Sequence, residues 1–161
     1  MVEDSLITDE LRSKIGVDSE PEVYEIEKGM IWRFVQAIGD PNPLWQDEEY
    51  AKKSRYGGII APPTFVLTIG FDKLRQQVQA SIPHEAILHG STALECYQPV
   101  RAGDSISVTT KITNIREWRD RRMGKTVFVT IDVTYKNQRQ ELVAKCQQMI
   151  IGYKVEGARY G

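Results

Sequence analysis

At 161 residues the chain has the length of one domain, enough to bury a single core without disulfide or metal staples. Hydrophobic residues make up 41% and charged residues 27%, the proportions of an ordinary globular protein, which excludes the disorder-prone classes. A net charge of −1 argues against nucleic acid as the main partner, because phosphate binding needs a clustered positive surface. No window approaches 18 consecutive apolar residues, so no membrane span is expected. The acidic start Met1-Val2-Glu3-Asp4-Ser5 lacks the basic region and apolar run of a signal peptide, and the expected location is the cytoplasm. Cys96 and Cys146 fall in separate strand-like segments with no Cys or His at metal spacing; they read as reduced core thiols, and no metal is expected.

Residues 1–20 carry a short helical pattern (Leu6, Leu11, Ile15) that stops at Gly16, an N-terminal arm appended to a single domain over 21–161. Tyr24-Glu25-Ile26-Glu27 alternates as a short strand. After Gly29, the residues Ile31, Phe34, Val35 and Ile38 share one helical face that ends at Gly39. Asp40 follows at once, in a loop stiffened by Pro41 and Pro43, each of which fixes its own φ and restricts its predecessor. Asp47 is placed to cap a small helix with Glu48 and Glu49 in its first turn and Lys52, Lys53 and Arg55 in its last, the charge order that suits the helix dipole. Tyr56-Gly57-Gly58 closes it, and Ile59-Ile60-Ala61 runs extended into Pro62-Pro63.

From Thr64, Phe65, Val66, Leu67, Ile69, Gly70 and Phe71 cover all sides of two turns, which predicts a helix of about 17 residues, roughly 25 Å long and buried all round, ending at Pro83. The rest reads as strands over 93–100, 104–116, 126–137 and 141–155, with the clearest alternation at Val127, Val129, Ile131, Val133 and Tyr135. Short turns between them imply antiparallel neighbours in meander-like order. An apolar helix entered through Pro-Pro and followed by long strands predicts an α+β hot-dog fold, a curved antiparallel sheet wrapped around a long central helix. A ferredoxin-like sandwich is the competitor, but its helices need only one apolar face.

The chemistry-bearing residues are concentrated between Ile38 and Phe65. Ile38-Gly39-Asp40-Pro41-Asn42-Pro43-Leu44, Gly57-Gly58-Ile59-Ile60-Ala61-Pro62-Pro63-Thr64-Phe65, Pro99-Val100-Arg101-Ala102-Gly103-Asp104 and Thr134-Tyr135-Lys136-Asn137-Gln138 together resemble the MaoC-like family of hydratases and dehydratases. Within it the chain is similar to the N-terminal half of acyl dehydratases and to subunits of mycobacterial-type 3-hydroxyacyl dehydratases, over about residues 24–153. The resemblance implies reversible addition of water to a trans-2-enoyl thioester. That reaction needs a base, an acid and a donor for the enolate oxygen. Active members use an Asp, a His five residues later, and a backbone N–H in an Ala-His-Gly sequence. Asp40 matches the Asp, but the His position is Trp45, whose indole donates and cannot shuttle a proton, and His-Gly is Pro62-Pro63, where proline has no N–H.

The resemblance therefore implies a degenerate hot dog completed by a partner chain, as a homodimer or as a heterodimer with a catalytic subunit. Asp40 and Asn42 are the candidate catalytic residues, against the plain reading of each as a turn residue. Trp45, Pro63, Thr64 and Phe65 are the candidate substrate-binding residues. Arg121 and Arg122, in a basic run that includes Arg116, Arg119 and Lys125, are candidates for the phosphates of coenzyme A or for an acidic carrier protein, against the plain reading of a solvated hairpin turn. Trp118 could stack on adenine, and His84 or His89 could supply the missing His by folding back on Asp40. Gly57-Gly58 lacks the Lys-Ser/Thr of a phosphate loop. No cofactor is expected beyond coenzyme A as part of the substrate, which is an acyl-CoA or acyl-carrier-protein thioester. A binding protein without catalysis and a hot-dog thioesterase using Asp72 are the alternatives.

Overall fold

The computed structural model describes residues 5–72, 74, 76, 78, 86–120 and 124–153. The elements in chain order are α1 (Asp9–Ser13), β1 (Glu22–Glu25), α2 (Lys28–Ile38), a 3-10 turn (Pro43–Trp45), α3 (Glu48–Lys53), a 3-10 helix (Pro63–Thr68), β2 (Ala86–Cys96), β3 (Ser105–Asp120), β4 (Gly124–Lys136) and β5 (Leu142–Tyr153). Among the described residues the strands form one five-stranded sheet in the order β1-β3-β4-β5-β2, every pair antiparallel. The inner face of β4 carries Val127, Val129, Ile131, Val133 and Tyr135, all buried, the period-2 face expected of a half-covered strand. These side chains join Ile31 and Val35 of α2, Phe65, Val66 and Ile69, and Leu74 and Val78 in one core.

Two expectations are corrected. The first concerns the long helix. Pro63–Thr68 is 3-10, Ile69 is extended (φ −76°, ψ 119°) and Gly70 is left-handed (φ +74°), so the chain turns there before helical geometry resumes at Phe71, Asp72, Leu74, Gln76 and Val78. Phe71 is more than half exposed rather than core. The cause is local. Two prolines set the entry, and Gly70 takes a backbone angle that other residues adopt only with strain. A Cβ at Gly70 would also lie 3.3 Å from Val108 Cγ1. Gly70→Ala is expected to destabilise by about 1–2 kcal/mol, lowering Tm by roughly 2–8 °C in a scanning calorimeter; an unchanged Tm would show that this turn carries no constraint.

The second correction concerns strand order. β3, β4 and β5 do form a meander, but β2 starts earlier than expected and pairs with β5 at the far side of the sheet from β3. The Arg101–Asp104 segment is therefore no hairpin turn. Its connector crosses the end of the sheet, held by Tyr97 N–H and Gln98 N–H donating to Val143 O and by Ala61 N–H donating to Val100 O.

The other elements follow their local chemistry. Gly39 closes α2 at φ +65°, its N–H bonding Val35 O, and so delivers Asp40. Asp47 caps α3, accepting from Tyr50 N–H at 3.0 Å. Cys146 is buried, whereas Cys96 is exposed on β2, against its expected place in the core. Leu6 and Leu11 belong to the core, and the N-terminal arm runs along β3 through bridges at Ile15–Ile112 and Asp18–Lys111, with Glu117 accepting from Ser5 and Leu6. No helix among the described residues is long and apolar enough to cross a membrane.

Candidate functional site

The loop after α2 is built around one carboxylate. Asp40 Oδ1 accepts from the Asn42 N–H at 2.9 Å and Oδ2 from the Trp45 indole Nε1–H at 3.0 Å. Gln46 donates to the Asp40 carbonyl, and Asn42 Oδ1 accepts from the Leu44 N–H at 3.0 Å, which fixes the 3-10 turn. The side chain five residues after the acid thus points back at it. The partner is a donor only, so the pair holds geometry without moving a proton.

Trp45 is 9% exposed, and its remaining surface faces a cleft of about 560 Å3. Ile60, Ala61, Pro62, Pro63, Val66 and Val143 give the cleft an apolar wall, while Arg55, Tyr56, Cys96, Tyr97 and Arg101 supply polar and aromatic groups. The walls are tied together by Ile60 N–H to Leu44 O and Ala61 N–H to Val100 O. Of the residues singled out from the sequence, Trp45 and Pro63 line this cleft; Asp40, Asn42, Thr64 and Phe65 do not. Thr64 is exposed. Phe65 is core, edge-on to Phe34 with ring centroids 5.6 Å apart. The first backbone N–H after Ala61 is that of Thr64, so the entry turn offers no donor at Pro62 or Pro63.

His89 lies exposed on β2 with Nε2 2.9 Å from Thr92 Oγ1, and the Asp40 carboxylate is satisfied by Asn42 and Trp45 instead. His84, Arg121 and Arg122 lie outside the described residues. Trp118, on the β3–β4 hairpin, is 64% exposed. Asp72 is exposed and does not line the cleft. Among the described residues no group of three or more His, Cys, Asp or Glu is arranged to hold a metal ion.

Sequence reasoning missed Arg55, Tyr56 and Arg101. Arg101 Nη2 donates to the Tyr56 carbonyl at 2.6 Å, and Arg55 lies over the Tyr56 ring, 4.8 Å from its centroid, while bonding its hydroxyl at 2.6 Å. The signal was present in Val100-Arg101-Ala102-Gly103-Asp104, which reads as a turn until the connector is seen crossing the sheet. Cys96 also faces the cleft, with Sγ 3.9 Å from the Pro63 carbonyl oxygen, and burial pushes its thiol pKa up from the ordinary value. A raised pKa leaves less thiolate at a given pH. Alkylation of Cys96 by iodoacetamide is therefore expected to run slower at pH 8 than that of an unstructured cysteine peptide, with the gap closing as pH rises; equal rates at pH 8 would refute a desolvated thiol.

Residues 13–146 match the family described as FAS1-like, dehydratase domain region. A UPF0336 protein of Streptomyces avermitilis is 41% identical over 96 residues, 58% of this chain and 64% of that protein; the match thus spans just under two thirds of the relative's length. A probable enoyl-CoA hydratase alpha subunit of Thermomonospora curvata is 25% identical over 78% of this chain and 44% of its own. Among solved structures, a MaoC-like dehydratase from Rhodospirillum rubrum is 26% identical with a TM-score of 0.67, covering 87% of this chain and 92% of its own. Two heteromeric complexes from Mycobacterium tuberculosis share the fold. These are the ChsH1-ChsH2 complex (TM-score 0.73, 18% identity, 93% of this chain and 90% of that one) and the HadBC (3R-hydroxyacyl-ACP dehydratase) complex (0.71, 22%, 86% and 97%). With a sheet of this order and the Asp40 loop set beside an apolar cleft, the chain belongs to the FAS1-like dehydratase-region family of MaoC-like hot-dog proteins.

Proposed function

We propose that this chain is one subunit of an enoyl-thioester hydratase or 3-hydroxyacyl-thioester dehydratase, shaping the acyl pocket while a partner hot dog supplies the acid and base. The observation that carries the reading is the Trp45 Nε1–Asp40 Oδ2 hydrogen bond of 3.0 Å. It sets a donor-only indole against the acid, five residues on, where the resemblance puts the proton carrier. Pro62 and Pro63 withhold the backbone donor that a developing enolate oxygen needs.

The open side of the sheet supports a partner. β1 and the N-terminal arm cover the edge of β3, whereas β2 ends the sheet with most of its residues exposed and no strand beyond it among the described residues. That the ChsH1-ChsH2 and HadBC neighbours are complexes of two different chains supports a second kind of chain as the partner over a second copy of this one. The substrate is then an acyl-CoA or acyl-carrier-protein thioester, and the place of action the cytoplasm.

The test is crotonyl-CoA hydration by the purified chain alone and with any hot-dog chain that copurifies with it. Activity only in the pair is the expected outcome. Robust turnover by the isolated chain would overturn the proposal, and binding without turnover in any combination would favour a carrier that sequesters acyl thioesters.

A further inference from the structure

Arg101 stands where two cavities meet. It lines the cleft beside Trp45 and also a second cavity of about 290 Å3 bounded by Lys28, Glu48, Lys52, Gly57, Gly58, Ile59 and Ala102. One of its N–H groups goes to the Tyr56 carbonyl. Its Nη1 would lie 3.8 Å from a Cβ at Gly58, so the guanidinium rests against a stretch of backbone that carries no side chain. The guanidinium is half-buried and makes no ion pair with a carboxylate among the described residues, although Asp104 is close enough to accept from the Arg101 backbone N–H at 2.8 Å. Around it, Glu48 is taken by Lys28, and Lys52 reaches Glu49 only at 3.5 Å.

A partly desolvated guanidinium without a counter-ion is a site for an anion, and its planar fork suits phosphate oxygens. The apolar wall on one side and the cations on the other define the ligand's shape: an apolar portion in the cleft, a phosphate at its exit. We propose that Arg101, with Lys52 at longer range, holds the phosphate of the phosphopantetheine arm of the thioester. This rests on the acyl-thioester reading above and names the group that fixes the substrate's polar end. The phosphate is common to coenzyme A and to a carrier-borne arm.

The experiment is calorimetric titration of the chain, with any hot-dog partner that copurifies, using octanoyl-pantetheine, octanoyl-phosphopantetheine and octanoyl-CoA. The phosphorylated probe is expected to bind about tenfold tighter than the unphosphorylated one. Arg101→Gln should erase that ratio, Arg101→Lys should keep part of it, and added salt should shrink it in the wild type. Because the ratio is taken within each variant, a general loss of affinity from a disturbed Tyr56 contact leaves it unchanged. Octanoyl-CoA binding tighter still assigns free coenzyme A as the source; equal binding assigns the carrier-borne arm. Failure of all three probes to bind would remove the thioester reading and this inference with it. Binding with no gain from phosphate, or a gain that survives in Arg101→Gln, would overturn the Arg101 assignment alone.

Discussion

Trp45→His is expected to leave the isolated chain nearly inactive on crotonyl-CoA, and Trp45→His combined with Pro63→Gly to raise turnover by about 10²–10³ over the single variant. The single change restores a proton carrier five residues after Asp40, in a loop whose geometry the present Trp45–Asp40 bond already maintains. General acid–base catalysis contributes on the order of 10²–10⁴, and a donor for the developing enolate about 10²–10³ more. That donor is absent while Pro63 occupies the turn before Thr64. The added glycine supplies an N–H at the apolar wall of the cleft, where low polarity strengthens it. Loss of enoyl-thioester absorbance measures all three proteins. If the single variant equals the double one, the oxyanion argument is wrong; if wild type already matches the double variant, the degenerate-site argument is wrong.

Phe65→Ala is expected to cost about 3–5 kcal/mol, enough to take up much of the roughly 5–15 kcal/mol that a domain of this kind commands. Phe65 is 1% exposed, sits in the 3-10 helix directly after the Pro-Pro entry, and meets Phe34 of α2 edge-on. Its removal leaves a void between α2 and the sheet and loosens the turn that forms the cleft wall. Urea unfolding followed by circular dichroism gives the number. Phe65→Leu, which fills most of the volume, should cost far less. A loss under about 1 kcal/mol for Phe65→Ala would mean the core collapses freely there.

Phe65 also shows what the sequence reveals and what it conceals. Its burial followed from the apolar run, but the same run predicted a continuous helix, because periodicity cannot see a left-handed glycine. Gly70 fits a helix pattern and a turn pattern equally until its neighbours Val108 and Tyr24 are known. Strand existence was legible from β-branched alternation in β4, while the pairing of β2 with β5 was not, since a short connector need not be a hairpin when it can cross the end of a sheet. The Asp40–Trp45 relation was half legible. The family resemblance paired the two positions, and only the structure shows the indole N–H aimed at the carboxylate. Arg101 was visible only as part of a turn, because a site assembled from separate loops has no local pattern that assigns it a role.

The two edges of the sheet are treated unequally. The arm that begins near Ser5 lies along β3, with Gly16 N–H and Ser19 N–H donating to Ile112 O and Thr110 O, so that side is sealed by the chain's own backbone. Among the described residues β2 has no such cover, and Leu88, at 47% exposed, sits on it. An unpaired edge is adhesive toward any extended peptide. A copy with that edge uncovered carries it into a crowded solution, where aggregation and proteolysis compete for it. On the two-subunit reading proposed above, synthesis of both chains side by side and in equal number would cover the edge at once, and overproduction of this one by itself is the condition under which it should precipitate.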